Sequence, residues 1–299
     1  MSVTELALPP RLTEPSPTAP VGDPRPPRRR RSRGFPVGFW FALGFFAIVV
    51  VAALVPGALA PYDPLSTDTS NVLAAPSAAH LLGTDEAGRD VLSRIVYGAQ
   101  PALFLGIGAT VIALGVGSLI GLAAGLGNRF LDAILMRLTD VSLAFPELLL
   151  ALLIISIFGG GLVNTLLAIG IAGIPSYARL VRGQTLAIRN AGYVEAARGI
   201  GLSRTRVALA HVLPNAIRPV LVLATIGVGT ATLAGAALTF LGLGVAPPTP
   251  EWGSMLSVSR NFLERAWWYG IFPGLTITAL VISTTTIGRT LQRRLEGKR

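Results

Sequence analysis

The chain contains no cysteine. Disulfides, thiolate nucleophiles and cysteine-held iron–sulfur clusters are therefore excluded. Histidine occurs only at His80 and His211, and neither has neighbours at metal-ligand spacing, so no metal centre is expected. Lysine is scarcer still. Among 25 basic residues the only lysine is Lys298, second from the end. A phosphate-binding loop of the form GxxxxGKS or GxxxxGKT needs a lysine to reach the terminal phosphates, and this sequence offers none. Charge of either sign is sparse as well: 13% of the 299 residues are Asp, Glu, Lys or Arg. With a mean hydropathy of +0.63, an ordinary soluble domain is excluded.

Apolar residues fill that space, at 52% of the chain. A helix crossing a bilayer needs about 20 mostly apolar residues. Six runs of that kind can be read, at roughly 37–60, 101–127, 138–158, 162–180, 218–245 and 268–288. The second carries Gly106, Gly108, Gly115, Gly117, Gly121 and Gly125, small residues that let helix backbones approach closely in lipid. The expected fold class is an all-α membrane protein with six transmembrane helices. Arginine placement orients it. With both termini in the cytoplasm, 21 of the basic residues fall on the cytoplasmic side, and only Arg89, Arg94, Arg260 and Arg265 fall outside.

The expected organisation starts with a disordered basic cytoplasmic tail over 1–36, whose arginines could meet anionic lipid headgroups and which gives no sign of a nucleic-acid partner. "RRRRSRGF" and the later "ALA" at Ala58–Ala60 mimic a signal peptide. The apolar run between them is longer than the 7–15 residues of a signal core, which favours a retained first span at 37–60. An extracytoplasmic segment is expected over 61–100, a permease-like helical domain over 101–290, and a cytoplasmic tail over 291–299.

One cytoplasmic loop, about 183–217, is polar and arginine-rich although it joins two apolar runs. "YVEAARGI" (Tyr193–Ile200) should form a short helix, with Gly199 and Gly201 providing its stop. Ser203 is a candidate N-cap for a second helix carrying Val207, Leu209 and Ala210 toward Pro214. The result is a compact elbow that a partner could grip. Glu195-Ala196-Ala197, then Gly201, then His211-Val212-Leu213-Pro214 resembles the EAA motif of binding-protein-dependent ABC importer permeases. "APYDP" (Ala60–Pro64), "HLLGTDEAGRDVLSR" (His80–Arg94) and "TFLGLGVAPPTPEWGSML" (Thr239–Leu256) resemble the C-type permeases of its dipeptide, oligopeptide and nickel branch.

The resemblance implies a type I ABC importer permease fold in a bacterial inner membrane. It also implies a homologous B-type permease, two ATP-binding subunits holding ATP and Mg, and an extracytoplasmic solute-binding protein. Glu195, Ala196, Ala197, Gly201, His211, Leu213 and Pro214 would be the ATPase-coupling residues. The cargo would be a di- or oligopeptide, or alternatively nickel, glutathione or haem. Relatives often carry an acid where Gly235 stands, and a Gly-Asp pair where this chain has Gly288-Arg289, so no intramembrane peptide site is carried over.

Three further groups draw attention. Asp85, Glu86, Arg89 and Asp90 could form an extracytoplasmic docking patch of exposed charge, or a loop that satisfies itself. Pro247, Pro248 and Trp252 could line the path's entrance or anchor the fifth span. Asp140 and Glu147, seven apart, should share one helical face with Pro146 kinking between them; intramembrane acids are functional hypotheses by default. A secondary transporter would want internal repeats and midplane ionisable residues. An intramembrane hydrolase would want a histidine in a span to activate serines such as those of "WGSMLSVS". From the missing phosphate loop, the purified chain, freed of every ATPase, should release no phosphate from ATP above background; persistent turnover would overturn this reading.

Overall fold

The computed structural model describes residues 35–296, so the tail expected over 1–36 and the end of the one expected over 291–299 fall outside it, at 1–34 and 297–299. The described chain is helical and forms no strand, only an isolated bridge between Thr84 and Asp90. Helix α1 (Val37–Leu54) is followed by a short turn α2 (Pro56–Leu59), a 3-10 turn (Thr69–Asn71) and the long α3 (Val91–Leu126). Then come α4 (Arg129–Leu143), α5 (Glu147–Phe158), α6 (Leu162–Arg189), α7 (Gly192–Gly199) and α8 (Arg204–Val207). A π turn (Ala208–Val212) leads into α9 (Leu213–Phe240), which precedes α10 (Trp252–Ser259) and α11 (Trp267–Glu296).

Four helical segments among the described residues are long and apolar enough to cross a membrane: α1, α3, the stretch Arg204–Phe240 and α11. α4 and α5 make a fifth if taken as one broken span, bent by 89°. The continuous run expected at 138–158 is therefore interrupted. Pro146 disfavours a helical conformation at Phe145 and itself has no N–H to donate, so α4 ends at Leu143 and α5 starts anew at Glu147. Asp140 and Glu147 consequently lie on different helices, not on one face. α3 begins ten residues before the apolar run expected at 101, because Asp90 caps it by accepting from the Ser93 N–H.

The bundle is organised around α3 and α6, which lie against each other over most of their length. The glycine reading explains how. A Cβ on Gly117 would lie 2.7 Å from the Tyr177 Cβ, one on Gly121 2.5 Å from the Ala178 carbonyl, and one on Gly125 2.6 Å from the Thr185 Cγ2. Gly106 and Gly108 are similarly closed off by Thr232 and Leu166, whereas Gly115 faces open space. α9 packs between α3 and α11, and α1 packs on α11 and α3. α4 is tied to α6 by two ion pairs, Asp132–Arg182 and Asp140–Arg179.

At the end of the bundle where α10 lies, Trp252 is buried and donates its indole N–H to the Ile95 carbonyl at 2.9 Å, its ring filling the space that Gly98 leaves open. Glu251, also buried, caps α10 by accepting from the Ser254 N–H at 2.7 Å. Burial pushes the Glu251 carboxyl up to about 7, against the opposing pull of the Gly253 and Ser254 N–H groups. A carboxyl raised on folding favours the folded state at low pH, and that contribution is lost as pH rises toward the folded value. Stability of the purified protein should therefore fall by up to about 3 kcal/mol between pH 4.5 and pH 7 from this group. Glu251→Gln should flatten that slope, as read by thermal unfolding across pH; an unchanged slope would show that Glu251 is not its source.

Candidate functional site

The elbow grows out of α6. Arg189, its last residue, donates from Nη1 to the Gly125 carbonyl at 2.7 Å, so the C-terminal end of α3 and the start of the elbow are held together. α7 then runs from Gly192 to Gly199 with Glu195 in its first turn, where a carboxylate complements the helix dipole. It ends in a Schellman turn: the Leu202 N–H reaches the Ala197 carbonyl (3.2 Å) and the Gly201 N–H reaches that of Arg198 (3.0 Å). Gly201 takes the left-handed position with φ +88°, while Gly199 is an ordinary last helical residue. Of the two glycines expected to stop this helix, the turn itself uses Gly201.

Ser203 caps α8 through its hydroxyl, which accepts from the Arg206 N–H at 3.3 Å. The second helix of the elbow is not a separate short piece. It continues through the π turn into α9, with the Leu213 N–H reaching back five residues to Ala208. Pro214 sits in the first turn of α9, and a proline there would crowd the preceding turn of an unbroken α-helix. The wider π turn makes room for it. His211 contributes its carbonyl, which accepts from the Asn215 side chain at 2.8 Å.

This segment has a core of its own: Ile188, Val194, Ala197, Val207, Val212 and Ala216, with Leu202 packed against it. Val194 and Ala197 face inward, so Glu195, Ala196 and Arg198 face outward. Tyr193, Ile200 and Leu209 stand exposed as well, Ile200 at 80% of its surface. From the sequence Tyr193 and Ile200 are read only as the bounds of the first short helix and Leu209 only as part of the second, although the spacing that puts Val194, Ala197 and Val207 inside implies their exposure. The elbow therefore presents a mixed face of apolar tips, one carboxylate and the guanidinium of Arg198. Beside it lies a recess of about 720 Å³ bordered by Arg189, Arg198 and Arg204. Leu213 is half-buried and Pro214 exposed at the base.

The charges read from the sequence as either an outer docking patch or a loop that satisfies itself are mostly buried. Asp85 is fully buried and accepts from the backbone N–H groups of Ala87 and Arg89 and from the Arg89 Nε at 2.7 Å. Arg89, itself buried, also donates to Glu86 at 2.6 Å. Asp90 pairs with His80 and caps α3. Arg94 is close to Asp85 and donates to the Pro64 and Pro248 carbonyls, joining three segments. A docking patch needs exposed charge, and here only Glu86 is partly open. The cluster is a buried, ion-paired knot. Pro247 and Pro248 are exposed at its edge, while the buried Trp252 anchors α10 against α3.

Comparison with known proteins shows the family. A family model described as "Binding-protein-dependent transport system inner membrane component" matches residues 117–297. A di/tripeptide transport system permease protein, DppC, from Pseudomonas aeruginosa is 44% identical over 260 residues, covering 85% of this chain and 86% of that protein. A probable D,D-dipeptide transport system permease, DdpC, from Escherichia coli is 40% identical over 80% of each. A glutathione transport system permease, GsiD, from Pectobacterium atrosepticum is 38% identical over 86% of each. Among solved structures, the MetNI methionine ABC transporter in an inward-facing conformation superposes with a TM-score of 0.56 at 19% identity, covering 68% of this chain and 96% of its own. An amino acid ABC transporter does so with a TM-score of 0.55 at 18% identity. At that identity the structural likeness speaks for the fold alone. With its apolar helices, its helical elbow and a family match over more than half its length, the chain belongs to the binding-protein-dependent transport system inner membrane components, the permease subunits of ABC transporters.

Proposed function

We propose that this chain is one of two permease halves of a bacterial inner-membrane importer for di- and oligopeptides, with six spans, cytoplasmic termini and an elbow that docks on a partner ATPase. The cargo reading draws on the di/tripeptide and D,D-dipeptide permeases at 40–44% identity. Glutathione, itself a peptide, is the second reading, from the relative at 38%. The partners would be a homologous permease, two ATP-binding subunits and an extracytoplasmic binding protein. The observation that carries the coupling role is the rigid elbow: a small closed core, both helix ends capped, and exposed apolar tips beside Glu195. A floppy loop transmits no force, whereas a packed one moves as a body.

Gly201 is the sharpest test. A Cβ there would meet nothing within 4 Å, so any penalty comes from the backbone alone. Placing an ordinary side chain at its φ costs about 1–2 kcal/mol, which lowers the population of the shaped elbow roughly five- to thirtyfold. Gly201→Val should weaken co-purification with the ATPase or leave hydrolysis running without uptake in proteoliposomes. Gly199→Ala, equally free of neighbours but at an ordinary φ, should be silent, and Glu195→Ala should act like Gly201→Val but more mildly. Wild-type assembly and uptake by Gly201→Val would reduce the elbow to a connector.

The orientation is testable because the chain has no native cysteine. In intact cells, Ser203→Cys should resist an impermeant thiol reagent, while Ser66→Cys, exposed in the segment before α3, should react. The reverse pattern would invert the topology and remove the elbow from the ATPase side.

A further inference from the structure

Glu147 is an acid that neither the elbow nor the outer knot employs. It opens α5, whose 12 residues end at Phe158 beside the Gly159–Gly161 turn. At 1.5 Å per residue it stands about 16 Å from that end of the helix, at the head of an apolar run that has no other charge. Asp132 and Asp140, on the neighbouring α4, are both paired with arginines of α6. Glu147 has no ion-pair partner among the described residues and remains exposed. A carboxylate on an apolar membrane helix is costly against lipid, so its surroundings in the membrane are water or protein.

Those surroundings are shaped. Glu147 borders a cleft of about 300 Å³ between α3, α5, α6 and α9, otherwise mainly apolar, into which Thr110, Tyr177 and Thr230 also look. Two glycines keep it open. A Cβ on Gly227 would overlap the Tyr177 hydroxyl, and one on Gly173 would come within 3.1 Å of the Ala113 Cβ and 3.6 Å of the Glu147 Oε1. The Thr110 and Thr230 hydroxyls donate their protons to the Gly106 and Gly227 carbonyls, which leaves oxygen lone pairs to accept. One carboxylate and several hydroxyl acceptors in an apolar recess suit a group with several N–H donors and a single positive charge. No cluster of acids or histidines capable of holding a metal exists among the described residues.

We propose that this cleft binds a primary ammonium group, and that in transport it receives the free amino terminus of the peptide. The second part rests on the peptide reading above; the first stands apart from it. The test uses the assembled complex with all its subunits. A membrane-permeant carbodiimide should modify Glu147, as mapped by mass spectrometry. Saturating L-alanyl-L-alaninamide, which keeps the ammonium and lacks a carboxylate, should slow that modification about tenfold, the scale of one charge-assisted hydrogen bond. N-acetyl-L-alanyl-L-alaninamide should not. Absence of labelling, or equal effects of the two compounds, would overturn the proposal. In proteoliposomes, Glu147→Gln should raise the KM for L-alanyl-L-alanine uptake about tenfold, with its affinity for the binding protein unchanged. A Glu147 that merely supports the start of α5 would lower the melting temperature on substitution and leave KM alone, which also counts against the proposal. If the wild-type complex carries no dialanine, the peptide reading fails, and the labelling result still decides the cleft.

Discussion

Close approach of α3 and α6 is the contact on which the remaining structure depends. In lipid, apolar side chains gain little by leaving their solvent, so helices associate through dispersion at short range and through polar pairs. Gly117, Gly121 and Gly125 remove one edge of α3, and α6 settles into the gap with backbone against backbone. Everything else is placed relative to that pair. α9 lies against α3, α5 leans on α6, and α4 is drawn to α6 by its two aspartates. The Arg189 bond to the Gly125 carbonyl fixes where the elbow leaves the bundle.

The two ends of the molecule are built by different means. The end holding Asp85 is a knot of buried charge. Asp85, Arg89 and Arg94 are nearly sealed from solvent, and α10 is pinned by Trp252. Breaking one member of such a network leaves an uncompensated buried charge behind, so its members depend on one another. The elbow end is held by a small apolar core and two caps. Its shape is set locally, by residues between Ile188 and Ala216.

Local chemistry was legible in the sequence, and distance was not. The cap at Ser203, the glycine turn at Gly201 and the small-residue face of α3 follow from residue types at short spacing, and the structure reproduces them. The family was legible from the Glu195–Pro214 spacing and from the His80–Arg94 and Thr239–Leu256 stretches. The local pairing of Arg89 with Asp85 was within reach as one of two readings of that loop, but the meeting of Arg94 with the carbonyls of Pro64 and Pro248, 30 and 154 residues away in the chain, was not. Pro146 was visible as a kink, but nothing nearby in sequence announces a bend of 89°. Arg179 and Arg182, which in the sequence count only among the basic residues of the cytoplasmic side, answer Asp140 and Asp132 from 39 and 50 residues away.

The unbroken path from α8 through the π turn into α9 has a consequence for how this sequence can change over time. A helix turns by about 100° for each residue, so a single insertion or deletion between Ser203 and Pro214 would swing the elbow around the α9 axis and point its face elsewhere. Substitutions there alter one contact, but a change of length alters all of them together. The loop around Ser66, exposed and joined to its neighbours by turns, is free of that constraint. Length should therefore drift among descendants of this chain in the stretch after α2 and stay frozen between Gly201 and α9, even where the letters in that interval are replaced.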